Sequence, residues 1–211
     1  MGKITLTIDG SNVAADKGTS ILEAALQNNI YIPHLCYHPD LDARGACRLC
    51  IVEIGDEQLV TSCRTPVEPG MVVKTNSPKV DRVRRPIVEL LINDHHNTCR
   101  GCPSNGHCDL QKVMAYLRID RRRVRRLILP EEKMPLDTSH PCFDYDPNRC
   151  VLCGICLQTC RDIQGVSSLH FVSRGYATKI GFFGDKSRCE SCGECMARCP
   201  VGVLLPKTPP Q

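Results

Sequence analysis

The chain has 211 residues, of which 16 are cysteine, 27 are Lys or Arg and 23 are Asp or Glu, giving a net charge of +4. A disulfide scaffold this rich in cysteine would be much shorter and would carry a secretory leader, so the thiols point to bound metal in a reducing compartment, and a cytoplasmic protein is expected. The start of the chain alternates apolar and polar residues, position 6 is Leu6 where N-myristoylation needs Ser or Thr, and the longest apolar runs are fragments such as Leu127–Leu129 and Val203–Leu205. Secretion, a lipid anchor and a membrane span are therefore not expected. The weak positive charge is poor support for nucleic acid. Aromatic residues make up only 4% of the chain, with no Trp, so something other than aromatic packing must hold it together.

In chain order, Ile4–Ile8 has the alternation of a strand, Asp9-Gly10 is a hairpin turn signal, and 11–15 can form the return strand. Ser20 and Glu23 have the spacing of a capping box, followed by an apolar helix face of Ile21, Leu22, Ala25 and Leu26. Segments 49–54, 59–61 and 71–75 read as further strands. After the break at Asn76-Ser77-Pro78 a helix is expected over 80–93, with Val83, Ile87, Leu90 and Leu91 on its apolar face and a kink or fresh start at Pro86. A loop dense in Cys and His spans 95–108, and 110–117 is helical in pattern. Six arginines follow (Arg118, Arg121, Arg122, Arg123, Arg125 and Arg126), and the proline-rich stretch 130–141 reads as a linker. The tail, 207–211, reads as frayed.

The last third repeats itself. Cys150, Cys153, Cys156 and Cys160 recur 39 residues later as Cys189, Cys192, Cys195 and Cys199, with Arg149 matching Arg188 and Gly154 matching Gly193. Gaps of two, two and three residues, closed by Pro200, are the bacterial ferredoxin run for [4Fe–4S] clusters, in which the fourth cysteine of each run serves the other cluster. Cys150, Cys153, Cys156 and Cys199 are thus assigned to one cluster, and Cys189, Cys192, Cys195 and Cys160 to the other. Zinc would favour separated pairs around one ion. The glycines leave room for tight turns around the sulfides.

Cys36, Cys47, Cys50 and Cys63 have a central two-residue gap and a remote fourth member, as in plant-type [2Fe–2S] sites, although the first gap is ten residues rather than four. A four-cysteine zinc site is the alternative. His95, Cys99, Cys102 and Cys108 could hold either zinc or a [4Fe–4S] cluster with one imidazole ligand, and His96 competes with His95. Cys142 is left over, and the simplest reading is a small packed side chain.

These groups in this order resemble the iron–sulfur module at the N-terminus of the large iron–sulfur subunit of complex I. The same module begins [FeFe]-hydrogenase chains and their bifurcating relatives. The chain is most similar to the U-type diaphorase iron–sulfur subunits of NAD-coupled bidirectional [NiFe] hydrogenases. The carrying stretches are Gly45-Ala46-Cys47-Arg48-Leu49-Cys50, the His95-to-Gln111 group, and Asn148-Arg149-Cys150-Val151-Leu152-Cys153 with the closing ferredoxin run.

The resemblance implies an α+β architecture in three parts. Residues 1–78 would be a β-grasp [2Fe–2S] ferredoxin-like domain. Residues 79–138 would be a small helical [4Fe–4S] domain, ligated by His95 and three cysteines, with a linker. Residues 139–211 would be a domain of the bacterial 2×[4Fe–4S] ferredoxin type. It also implies one [2Fe–2S] and three [4Fe–4S] clusters, with FMN and NAD(H) on a partner subunit only.

No dinucleotide-binding glycine loop, Walker loop or catalytic acid, base or nucleophile is assigned. The expected role is a relay of single electrons between an NADH-oxidising FMN flavoprotein and a catalytic metal subunit, most directly a [NiFe] hydrogenase. The same relay could serve a bifurcating hydrogenase, formate dehydrogenase or NAD(P)–ferredoxin complex. A zinc-rich interaction module is the reading from a different class. The arginine run lacks neighbouring aromatics that would stack bases, apart from Tyr116, so docking on an acidic partner or a solvated face is expected rather than nucleic acid. Asp144 and Asp146 are expected to cap or turn, and Met114 and Met134 to pack in the core.

Overall fold

The structure is a computed structural model and describes residues 2–55, 57–95, 99–120, 124, 133–184, 189 and 192–207. The chain packs as two compact units, Met1–Leu90 with Val113–Ile119, and Leu91–Lys112 with Asp120–Gln211.

In the first unit β1 (Lys3–Ile8) pairs antiparallel with β2 (Ser11–Asp16), from Lys3 opposite Asp16 to Ile8 opposite Ser11. Asp9 and Gly10 both have positive φ, 48° and 81°, the two left-handed residues that a tight hairpin needs to match strand twist. β5 (Val72–Lys74) lies parallel to β1, and β3 (Ile51–Ile54) joins β5 to β4 (Gln58–Thr61), giving the order β2-β1-β5-β3-β4.

α1 (Ile21–Gln27) is started by Ser20, whose Oγ accepts the Glu23 N–H at 3.2 Å while the Glu23 carboxylate accepts the Ser20 N–H at 3.0 Å. This reciprocal cap satisfies two otherwise orphaned donors. Ile21, Leu22, Ala24 and Ala25 pack with Leu6, Ile8, Val13, Val52 and Val73 into one buried core. Each large apolar side chain sealed this way contributes about 1.5–3 kcal/mol.

α2 (Pro78–Asp94) begins where the break was read. Ser77 Oγ accepts the Val80 N–H at 3.2 Å, and Pro78 fills the first turn, where its missing N–H costs nothing. Two expectations are corrected. The helix is continuous through the exposed Pro86, with no fresh start there. Its buried line is Val80, Arg84, Val88 and Ile92, whereas Leu90 is 67% exposed.

The cause is Arg84, which an apolar pattern cannot place inside. It is fully buried, and its guanidinium donates to the carbonyls of Thr75 at 2.9 Å and Ile51 at 2.5 Å. The line thus runs at steps of four through a cation. α3 (Asp109–Tyr116) follows the Cys/His loop, with Leu110, Val113 and Met114 buried.

In the second unit β6 (Phe143–Tyr145) pairs with β9 (Leu204–Pro206), and β7 (Leu169–Val172) pairs with β8 (Lys179–Phe182) as a hairpin inserted between the two ferredoxin runs.

The described part of the expected linker is not a spacer. Asp137 and Tyr145 exchange backbone hydrogen bonds at 2.9 and 2.8 Å, Asn148 clasps the Met134 backbone, and His140 is buried. Met134 is only half-buried. Lys207, read as part of a frayed tail, is pinned: its Nζ donates to the carbonyls of Thr138 and His140, both at 2.7 Å. Asp146 caps a turn over 147–149 as expected, but Asp144 sits in β6 and pairs with Lys207 at 3.4 Å. Of the arginine run only Arg118 is described; Arg121, Arg122, Arg123, Arg125 and Arg126 lie outside the described residues, as do His96 and Arg188.

Candidate metal centres

In the first unit the loop between α1 and β3 and the turn after β4 bring Cys36, Cys47, Cys50 and Cys63 together. Positive φ at Gly45 (65°) and Arg48 (58°) bends the loop, and Arg64 Nη1 clamps it by donating to the Ala43 carbonyl at 2.9 Å. A Cβ on Gly45 would stand 3.0 Å from the Arg64 side chain, a tight approach at a left-handed position that glycine accommodates without strain. The Cys47 N–H donates to Cys36 Sγ at 3.3 Å, and Ser62 Oγ donates to the Cys50 carbonyl at 2.7 Å.

The thiols pair off. Cys36 is held down to about 6 by the thiol of Cys47 against the effect of burial, and Cys47 is pushed up in return. Cys50 is held down to about 7 by the thiol of Cys63, which is itself pushed up. Four neighbouring thiols are the number of sulfur donors that two irons need. The residues fit a [2Fe–2S] group.

In the second unit His95 leaves the end of α2, its N–H still bonded to the Leu91 carbonyl at 3.1 Å, and its ring is buried. Cys99–Gly101 makes one tight helical turn, and Cys108 starts α3 by accepting the Lys112 N–H at 3.1 Å. Burial pushes the Cys108 thiol up, with Cys102 and Cys99 adding to the effect, so the three thiols sit within electrostatic reach of one another.

The loop is seated on the C-terminal turn of the same unit. The Asp109 N–H donates to the Pro200 carbonyl at 2.8 Å, and Ser104 Oγ lies 3.4 Å from the Gly202 carbonyl oxygen. Gly202 has φ +59°, and a Cβ there would fall 1.8 Å from Ser104 Oγ. Only glycine allows that approach.

The repeat is visible in three dimensions. Gly154 and Gly193, with φ 76° and 62°, each precede a single helical turn, α4 (Ile155–Gln158) and α5 (Glu194–Ala197). These turns place Cys156 and Cys195 at their second positions. Beyond α4 the chain widens into a π-helical turn, Thr159–Ile163, which carries Cys160.

The structure brings the cysteines together in exchanged sets. Cys150, Cys153, Cys156 and Cys199 line one pocket with Ile180, Val203 and Leu204. Cys195 senses Cys192, Cys189 and Cys160. Burial pushes Cys156 well up, Cys189 to about 11 and Cys195 to about 12, with neighbouring thiolates adding to each. Ionising four thiols in such a pocket is unfavourable unless bound metal charge compensates, which is the condition a cluster meets. Among the described residues no three His, Cys, Asp or Glu side chains converge tightly enough for a single ion.

Sequence reasoning missed the groups around these sulfurs. His140, 3% exposed, stacks on Phe143 at 3.6 Å between ring centres and places Nε2 3.2 Å from Cys189 Sγ. Burial, reinforced by Lys207 and opposed by Asp137, holds its imidazole down to about 4. The Leu152 N–H donates to Cys150 Sγ at 3.4 Å, and burial, with the neighbouring Cys150 adding to it, pushes the Tyr145 hydroxyl well up. Cys142 Sγ donates to the Cys189 carbonyl at 3.0 Å, so it is the packed thiol expected, with a polar contact added. The available signal was a His and two aromatic residues, His140, Phe143 and Tyr145, just before Cys150 in a chain poor in aromatics. Among the described residues no helix is long and apolar enough to cross a membrane.

Fold and site together define an iron–sulfur protein with one [2Fe–2S] domain and further [4Fe–4S]-binding domains. Residues 2–78 match the 2Fe-2S iron-sulfur cluster binding domain, residues 84–123 the NADH-ubiquinone oxidoreductase-G iron-sulfur binding region, and residues 149–203 the 4Fe-4S dicluster domain. A chain in the crystal structure of an NAD+-reducing [NiFe]-hydrogenase in the H2-reduced state superposes with a TM-score of 0.84 at 33% identity, over 98% of this chain and 88% of that one. The chain belongs to this family of G-type iron–sulfur electron-transfer proteins, shared by NAD(P)-coupled hydrogenases and complex I.

Curated relatives include the NADPH-Fe(3+) oxidoreductase subunit alpha of Geobacter sulfurreducens, 38% identical over 97% of this chain and 24% of its own length. The NADP-reducing hydrogenase subunit HndD of Solidesulfovibrio fructosivorans is 34% identical over 97% of this chain and 36% of its own. The 78 kDa subunit of Neurospora crassa mitochondrial NADH-ubiquinone oxidoreductase is 35% identical over 97% and 28%. This chain therefore spans about a quarter to a third of the curated relatives it matches.

Proposed function

We propose that the chain relays single electrons within a multi-subunit NAD(P)-coupled oxidoreductase, between an FMN-containing, NADH-oxidising flavoprotein and a catalytic metal subunit, and that this metal subunit is a [NiFe] hydrogenase. The supporting observation is the whole-length likeness to a chain of the NAD+-reducing [NiFe]-hydrogenase, which covers most of both chains.

The ligand sets in this proposal are Cys36, Cys47, Cys50 and Cys63 for one [2Fe–2S] cluster, and His95, Cys99, Cys102 and Cys108 for a [4Fe–4S] cluster. Cys150, Cys153, Cys156 and Cys199, and Cys189, Cys192, Cys195 and Cys160, hold two more. The segments 1–78, 79–138 and 139–211 are the corresponding parts. Bound clusters supply one-electron chemistry, which a hydride donor must reach through a flavin that splits the pair. The chain's own residues hold the sulfur ligands, exclude water from them, and set potentials through N–H and O–H donors and burial.

Native purification under anaerobic conditions, with mass spectrometry of the intact complex and metal analysis, tests this. A flavoprotein and a nickel-containing subunit are expected. A molybdenum, tungsten or [FeFe] partner would move the relay to another complex. Zinc without iron would overturn both.

A further inference from the structure

The two ferredoxin runs are near copies, yet their equivalent first cysteines receive different donors. Cys150 Sγ accepts the backbone N–H of Leu152 at 3.4 Å. Cys189, 39 residues on, faces the imidazole of His140 instead. The His140 tautomer follows from its surroundings. The Cys142 N–H donates to Nδ1 at 3.1 Å, so Nδ1 is an acceptor and carries no proton. A neutral ring in that state has its hydrogen on Nε2, and Nε2 lies 3.2 Å from Cys189 Sγ. The ring has little freedom to turn away. It is stacked on Phe143, met edge-on by Phe182 at 4.5 Å, and sealed from water.

We propose that His140 is a positioning residue that donates its Nε2 hydrogen to the Cys189 sulfur and thereby raises the reduction potential of the group held by Cys189, Cys192, Cys195 and Cys160. The proposal rests on the cluster assignment above. Reduction adds one electron to that group and no proton moves. The added negative charge spreads onto the ligand sulfurs and strengthens the N–H to sulfur bond, so the donor favours the reduced form. Cys142 serves the same arrangement twice, through its N–H to the ring and its thiol to the Cys189 carbonyl. Among the described residues the Ser168 N–H also donates to this set, 3.2 Å from Cys160 Sγ. Replacing His140 removes this side-chain donor together with the acceptor of the Cys142 N–H, which is why a variant that keeps polar atoms is compared with one that does not.

The test uses the anaerobically purified, cluster-loaded chain, or its native complex, in three forms: unchanged, His140→Phe and His140→Gln. Phe keeps the stacked ring without a donor, and Gln keeps a donor. Iron and sulfide content is measured first, and the midpoint of each cluster is then followed by EPR during a redox titration. In His140→Phe one [4Fe–4S] midpoint should fall by about a tenfold change in its one-electron equilibrium, about 59 mV, while the others stay in place and Gln recovers part of the shift.

A second measurement needs no variant. With 15N-histidine, pulsed EPR of the unchanged protein should show a weak nitrogen coupling on a cluster that carries no strong, directly bonded one. Unmoved midpoints, a rise, a common shift of every cluster, or absence of the weak coupling would each overturn the proposal. Absence of iron from the unchanged protein is a different result, which removes the cluster assignment itself.

Discussion

The two units fold around different interiors. The first has an apolar core of strand and helix side chains, with Leu6, Ile8, Ile21, Leu22, Val52 and Val73 all at or near zero exposure. Cys50 and Cys63 join that core, whereas in the second unit Cys156, Cys160, Cys189 and Cys195 are core residues beside Phe143, Ile155, Leu169, Ile180, Val203 and Leu204, spread over short strands and single turns. Its helices α4 and α5 are single turns, far too short to stand alone in water. Where thiols replace aliphatic groups in the centre, bound metal must supply the cohesion that apolar burial supplies elsewhere. On the proposed ligand assignment, the first unit would carry a cluster on a finished fold, whereas the second would be finished by its clusters.

The largest effect that could break this contrast is metal removal. Hydrogen exchange after chelation should leave β1, β2 and α1 protected and strip protection from β6, α4, α5 and β9. A second unit that stays protected would refute the contrast. Next, Leu22→Ala should cost the first unit about 2–5 kcal/mol in a denaturant titration of the stripped protein, because it opens a cavity in a core that needs no metal.

Arg84→Met should cost about 1–3 kcal/mol by leaving the carbonyls of Thr75 and Ile51 without donors, read from the same titration. Gly202→Ala should cost the second unit about 1–3 kcal/mol, through backbone strain and the clash with Ser104. It should release iron from the Cys99–Cys108 loop before the [2Fe–2S] site is affected, as iron-release kinetics would show. The smallest effect is Ser20→Ala, about 1 kcal/mol from the lost cap of α1, visible as faster exchange in that helix alone.

Local signals carried much of this into view. The Asp9-Gly10 hairpin, the Ser20–Glu23 cap and the glycines before each third cysteine are rules of neighbours a few residues apart, and the structure shows each of them. The exchanged cysteine sets were legible because ferredoxin spacing encodes them. What stayed hidden depends on distant partners. Arg84 lies inside because carbonyls 9 and 33 residues away in sequence receive it. His140 looked like linker because its partner Cys189 is 49 residues on. Proline content described composition there, while the contacts came from tertiary packing.

The most direct measurement is the iron and acid-labile sulfide content of the anaerobically purified chain, taken with its EPR spectrum on reduction. The account predicts iron and sulfide in equal amounts, matching one [2Fe–2S] and three [4Fe–4S] groups, with distinct signals for both types. A colourless protein holding zinc, with no sulfide, would contradict it.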